Sequence, residues 1–228
     1  MTTLGSLNTQ ALDNPLLKLW LQHHDDPWGI RDTANGKGDW RIHSKDWRGW
    51  RDEGIQNYSF AVPSKEALES IACYAPIVEM GAGTGYWAYL LQQLHVDIIA
   101  YDKQIVVEGN DNQFKFRKSW TNIHRGSPSN LTVHPDRTLL LCWPDYASPF
   151  AEQCLRAYPG DTLIFIGENW GGCTADDGFF ELLSKQWTSI KTLDIPQWDG
   201  IYDYLTIFQH NNHRQYTSRE MNEHRSFI

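Results

Sequence analysis

Three glycines and a handful of carboxylates carry the chemistry this chain can do. The stretch from Ile77 to Gly85 reads IVEMGAGTG, an apolar run that ends in Glu79 and Met80 and then places glycine at 81, 83 and 85. Glycines at such a corner let the backbone approach a ligand closely and adopt dihedral angles closed to other residues. A second apolar run, Ile98 to Tyr101, ends in Asp102. A carboxylate at that place in a strand–helix–strand unit can hold the hydroxyl pair of a ribose. Two further runs end in acidic residues, Asp145 (with Tyr146 beside it) and Glu168. An acid at a strand end needs only hydrogen-bond reach to accept a proton or orient a nucleophile. The pattern is that of a nucleotide cradle with an acidic rim.

The glycine spacing narrows the choice of nucleotide. A dinucleotide fingerprint needs a small residue at the third position of G-x-G-x-x-G, where this chain has Tyr86. No G-x-x-x-x-G-K-[ST] stretch occurs, which excludes a P-loop. With Glu79 two residues ahead of Gly81, the segment resembles the first motif of the class I S-adenosylmethionine-dependent methyltransferases. That resemblance implies S-adenosyl-L-methionine as cofactor, with the backbone of Gly81, Ala82, Gly83 and Gly85 passing its methionine part. Glu79 would anchor the turn or the cofactor's ammonium, and Asp102 the ribose hydroxyls. Gly126 and Ser127 would lie near the adenine, and Trp87, Cys142 and Trp143 along the cofactor. Tyr58 and Phe60, shortly before the first strand, are either cofactor contacts or ordinary core.

The resemblance extends to the acceptor side. Many methyltransferases of amino nitrogens carry Asp/Asn-Pro-Pro-Tyr after the fourth strand, and this chain has Trp143-Pro144-Asp145-Tyr146. Asp145, Tyr146 and Glu168 are the candidate catalytic residues, with Trp50, Tyr58 and Trp170 as candidate substrate contacts. Asp145 is equally readable as a turn-capping residue, and Glu168 as a loop-stabilising acid. Methyl transfer to a nitrogen or oxygen of a small molecule is the leading expectation. Other reactions at the same sulfonium, or a non-catalytic binding module, are the alternatives.

Elements that would position these residues follow from pattern. Arg137 to Trp143 and Asp161 to Glu168 are continuous apolar runs suited to strands covered on both faces. Ser148-Pro149 and Thr174 to Asp177 read as helix starts, and Pro159-Gly160 as a stop. Strands at 188–195 and 203–210 close the sheet, and the third strand falls loosely within 120–125. The expected fold is α/β, a doubly wound seven-stranded Rossmann-like sheet with an N-terminal, mainly helical lid segment. Its divisions would be 1–75 for the lid, 76–212 for the cofactor-binding catalytic domain and 213–228 for a polar tail.

Composition sets bounds on the rest. A chain of 228 residues holds one full α/β domain and a modest extension. A net charge of −8 argues against nucleic acid or anionic membrane as partners held by bulk electrostatics. No run reaches the ~20 apolar residues of a membrane span, and no secretory pattern opens the chain, so a cytoplasmic protein is expected. Oligomeric state is open. Three of the four cysteines fall in expected elements and read as small buried hydrophobes. No metal is expected; His23, His24, Asp25 and Asp26 read as a solvated helix end. Five of the eleven tryptophans lie within residues 20–50, three of them (Trp40, Trp47, Trp50) interleaved with arginines. That segment reads as a lid over the site, a stacking platform for nucleic acid, or plain packing.

Overall fold

The computed structural model describes residues 12–24, 47–109 and 111–211. The Gly29–Gly38 loop, Trp40, Asp25, Asp26 and the polar tail lie outside them. Three helices, α1 (Pro15–His24), α2 (Trp47–Asn57) and α3 (Lys65–Ala72), precede the sheet. Asn14 caps α1, its Oδ1 accepting from the Leu17 N–H at 3.0 Å, and Ser64 caps α3 through the Ala67 N–H at 3.1 Å.

Seven strands then form one sheet, β1 (Ile77–Met80), β2 (Ile98–Asp102), β3 (His124–Arg125), β4 (Thr138–Cys142), β5 (Thr162–Glu168), β6 (Trp187–Asp194) and β7 (Asp203–His210). Their spatial order is β3-β2-β1-β4-β5-β7-β6, with β7 antiparallel to β5 and every pair from β3 to β5 parallel. The order reverses between β1 and β4, and ligands of such sheets bind beyond the strand ends at that point. Helices α4 (Tyr86–Gln93), α5 (Phe150–Ala157) and α6 (Asp177–Gln186) are the regular connections.

Alternation along the strands divides the core in two. Ile77, Leu140, Ile164 and Ile166 face α1, α3 and α4, while Val78, Leu139, Leu141 and Phe165 face α5 and α6. Leu16, Ala61 and Val62, all from the N-terminal segment, are fully buried in the first of these cores. Trp50 packs against the same core. The described part of the N-terminal segment is therefore one face of the domain.

Several details depart from the sequence reading. Asp176, not Thr174, caps α6, its Oδ1 accepting from the Phe179 N–H at 3.1 Å. Thr174 instead exchanges hydrogen bonds with the Glu168 backbone, closing the loop after β5. Pro149 occupies the cap position of α5, so the helix begins at Phe150, a residue later than Ser148 as cap would give. Cys154 is buried and Cys142 half-buried, but Cys73 is exposed at the end of α3. An element boundary there turns the thiol outward. No helix among the described residues is long and apolar enough to cross a membrane.

Candidate functional site

The turn after β1 is held by β2. Gly81 and Ala82 donate their backbone N–H groups to the Tyr101 carbonyl at 2.8 and 3.0 Å, and Gly83 donates to Asp102 Oδ2 at 2.9 Å. Gly83 has φ +57°, and a Cβ there would meet the Phe116 ring at 3.1 Å. Any side chain at 83 would thus be strained and would push on the wall opposite. Gly85 also has positive φ, but an added Cβ would meet Thr121 and Ile123, so this glycine serves packing of the turn against the segment before β3.

A cleft opens directly above that turn. Its volume is about 860 Å³ with the open mouth included. The floor is Glu79, Gly81, Ala82, Gly83 and Trp87, and Asp102 and Lys103 stand on one side. Cys142, Trp143, Pro144 and Asp145 form the β4 side, and Tyr58, Phe60, Phe114 and Phe116 the roof. Of the residues singled out from sequence, this lining unites Glu79, Gly81, Ala82, Gly83, Trp87, Asp102, Cys142, Trp143, Asp145, Tyr58 and Phe60. It leaves out Gly85, Gly126, Ser127, Trp50, Tyr146, Glu168 and Trp170.

Those outside have visible local roles. Gly126 donates its N–H to the Asp102 carbonyl, and Ser127 caps the 3-10 helix Pro128–Val133 with Asn130 answering from the third position. Tyr146 and Trp170 are 68% and 56% exposed, and Trp170 Nε1 donates to Asp177. Glu168 is buried, and its two oxygens accept the Cys173 N–H at 2.6 Å and the Tyr202 N–H at 2.8 Å. Both its oxygens are engaged in joining the loop after β5 to the start of β7.

Residues missed from sequence close the cleft. The link from β2 to β3 spans residues 103–123 and contains no helix among its described residues. Irregular links of that length in a compact domain commonly serve binding. Within it Asn112 ties the loop on itself, accepting from the Phe116 N–H and donating to the Phe116 carbonyl, which presents Phe114 and Phe116 to the cleft. Trp120 Nε1 donates to the Asn57 carbonyl, and Arg117 to Gln56, so the link is also fastened to α2. The Phe-x-Phe spacing was the available signal; it has the two-residue period of a strand, but so short a run in a polar stretch marks no element.

Electrostatics on the cleft floor are unusual. Glu79 is 1% exposed, and burial together with the nearby Asp102 charge pushes its carboxyl up to about 8, with the Ala88 N–H opposing. Its Oε2 and the Trp87 Nε1 are buried without hydrogen-bond partners among the described residues. Burial also raises Asp102, against the N–H groups of Gln104 and Gly83 that favour its anion. The Cys142 thiol is pushed well up by burial and by Glu79, so it is no thiolate nucleophile. Trp143, at φ +49°, donates Nε1–H to Asp203 Oδ2 at 2.8 Å and stacks on Phe60 at 5.4 Å.

The strand order and the antiparallel β7 settle the architecture. The chain has the class I methyltransferase fold. No sequence-family profile matches it, and no curated protein does. Among solved structures it is similar to the N-methyltransferase NodS from Bradyrhizobium japonicum WM9 in complex with S-adenosyl-L-homocysteine. That match has 12% identity and TM-score 0.41, covering 87% of this chain and 100% of that one. It is also similar to Sp1610 of Streptococcus pneumoniae, a candidate tRNA (m1A22) methyltransferase in complex with S-adenosyl-L-methionine. Here identity is 14% and TM-score 0.40, with 65% and 73% of the two chains covered. An rRNA methylase from Streptococcus thermophilus matches at 14% identity and TM-score 0.37 over 63% of this chain and 93% of that one. These overlaps are distant, and the fold rests on the strand order itself.

One expectation is corrected by these findings. Net charge led away from nucleic acid as a partner, yet proteins named for tRNA and rRNA stand among the structures matched. A whole-chain sum of −8 does not describe the local patch on which a polyanion would dock.

Proposed function

We propose that the chain is an S-adenosylmethionine-dependent methyltransferase, with the cofactor's amino-acid end on the cleft floor and its ribose at Asp102. The observation that carries this reading is the pair of unsatisfied buried atoms, Glu79 Oε2 and Trp87 Nε1, on two residues that line one cleft. Buried polar atoms normally find partners. An acceptor and a donor left open together suit a ligand end bearing both an ammonium and a carboxylate. The Gly81–Gly83 backbone leaves room for close approach, and both Asp102 oxygens face N–H donors that a ribose hydroxyl pair would join or displace.

When bound, the cofactor supplies an electrophilic methyl group on a sulfonium. The chain's part is to hold that end, keep water out beneath Phe60, Phe114 and Phe116, and bring a nucleophile into line. Aromatic faces around the cleft favour the sulfonium by roughly 0.5–2 kcal/mol each where cation–π contact is made. The nucleophile is a nitrogen or oxygen that reaches past the aromatic roof, of a small acceptor or of one projecting group on a larger one.

Incubation with methyl-labelled S-adenosylmethionine and a metabolite extract tests the reaction type. Release of S-adenosylhomocysteine with label in an acceptor supports methyl transfer. Methylthioadenosine as the product would point to attack at another carbon of the same sulfonium.

A further inference from the structure

Resting on that reading, the floor at Glu79, Gly83 and Asp102 takes the cofactor, so the acceptor must enter at the β4 end of the cleft. That end is built from Trp143 and Asp145, with Phe60 above. The Trp143 indole is fixed in place by its Nε1–H bond to buried Asp203 and by parallel stacking on Phe60 with 12° between the planes. The Arg51 guanidinium lies 5.7 Å from the centre of the Trp143 ring, with the Asp52, Asp203 and Glu168 carboxylates also acting on it. Asp145, its side chain 25% exposed, faces Lys103 at 3.6 Å, and the Lys103 side chain is 62% exposed. At 3.6 Å and with its lysine solvated, the pair is weak and open to exchange for another cation.

The carboxylate open to an acceptor is that of Asp145. Asp102 and Asp145 are the anions of the lining, Glu79 holds its proton, Lys103 is the cation of the lining, and Arg51 lies behind it beside Trp143. At Asp145 an acceptor bearing phosphate or carboxylate would meet like charge, whereas an ammonium finds a carboxylate and aromatic faces. We infer that the methyl acceptor is a primary or secondary amine on an apolar body, drawn in as its ammonium by Asp145 and seated against Phe60 and Trp143. The ammonium passes one proton to the Asp145 carboxylate. The freed nitrogen lone pair then bonds to the methyl carbon while the carbon–sulfur bond breaks with its electron pair on sulfur. The positive charge moves from sulfur to nitrogen, the product leaves as an N-methylammonium, and Asp145 gives its proton to water.

The test uses the full chain saturated with S-adenosylhomocysteine, whose own binding is measured first. Absence of that binding would count against the cofactor reading, separately from the acceptor. Calorimetry then compares 2-phenylethylamine, 2-phenylethanol and phenylacetate, three ligands with one apolar body and three head groups, alongside a short series of aliphatic amines. Expected is binding of one or more amines at least about tenfold tighter than the alcohol, no binding of phenylacetate, and loss of the amine preference in Asp145→Asn. The proposal is overturned if the alcohol or the acid matches the amine, or if no amine of the series binds the loaded protein. Transfer of label from S-adenosylmethionine to bulk transfer RNA, with none to any amine, would overturn it as well.

Discussion

Gly83 donates its backbone N–H to Asp102 Oδ2 at 2.9 Å, tying the turn after β1 to the end of β2. The same carboxylate accepts the Gln104 N–H through Oδ1 at 2.8 Å. A single side chain therefore shapes both the glycine turn and the side of the cleft where a ribose would rest. Asp102→Ala should weaken cofactor binding by about 1.5–3 kcal/mol, the range for hydrogen bonds to a charged group. Asp102→Asn keeps one acceptor oxygen and should lose less. Titration calorimetry with S-adenosylhomocysteine ranks the three proteins, and equal affinity in all three would remove Asp102 from the site.

Glu79 makes stability fall as pH rises. Its carboxyl is raised from an ordinary 4.5 to about 8, so the folded state holds a proton that the unfolded chain releases. The contribution is fully present below about 4.5 and is lost by about 8, at about 1.4 kcal/mol per pH unit from this one group. Glu79→Gln stays neutral throughout. Melting curves from pH 5 to 9 should show wild type falling behind the Gln variant as pH rises, and parallel curves would contradict the buried, protonated state. A cationic ligand at Glu79 reverses the preference, so cofactor affinity in wild type should increase as pH rises through about 8.

Two glycines of the turn separate by what a methyl group would touch. Gly83→Ala meets Phe116 across the cleft and Gly85→Ala meets Thr121 and Ile123 behind the turn, both at positive φ. Each should cost roughly 1–2 kcal/mol of stability from backbone strain. Only Gly83→Ala should also weaken cofactor binding below the melting range. Thermal melts paired with titrations distinguish the two, and equal loss of binding in both would show that Gly85 touches the ligand.

Glu168 behaves as a clamp between β5 and β7. Removing it leaves the Cys173 and Tyr202 N–H groups without their acceptor, at about 1–3 kcal/mol for each donor that stays buried. Glu168→Ala should lower the melting temperature while the remaining folded protein binds S-adenosylhomocysteine as wild type does. A stable variant with weakened binding would instead assign Glu168 to the site.

Much of the fold was legible because its signals are local. The alternate glycines at 81, 83 and 85, the carboxylate closing β2 and the continuous apolar runs of β4 and β5 are each readable within about ten residues. What was hidden depends on distant partners. Strand β3 is only His124 and Arg125, paired to Tyr101 and Asp102, and two exposed residues carry no period. Helix α2 reads as an arginine–tryptophan mixture with no apolar stripe, yet Ile55 is buried against Val106 and Phe116. Asp203 looks like the polar start of a strand, and only the fold places it beneath the Trp143 indole. Glu168 shows the converse, an acid at a strand end whose oxygens are both taken by backbone.

The central claim is that the floor formed by Glu79, Gly83 and Asp102 receives an adenosyl amino acid. Titration of the full chain with S-adenosylhomocysteine at neutral pH tests it most directly. One-to-one saturable binding that weakens sharply in Asp102→Ala is the result expected. No heat of binding at millimolar ligand from folded wild type, or binding indifferent to Asp102, would contradict it.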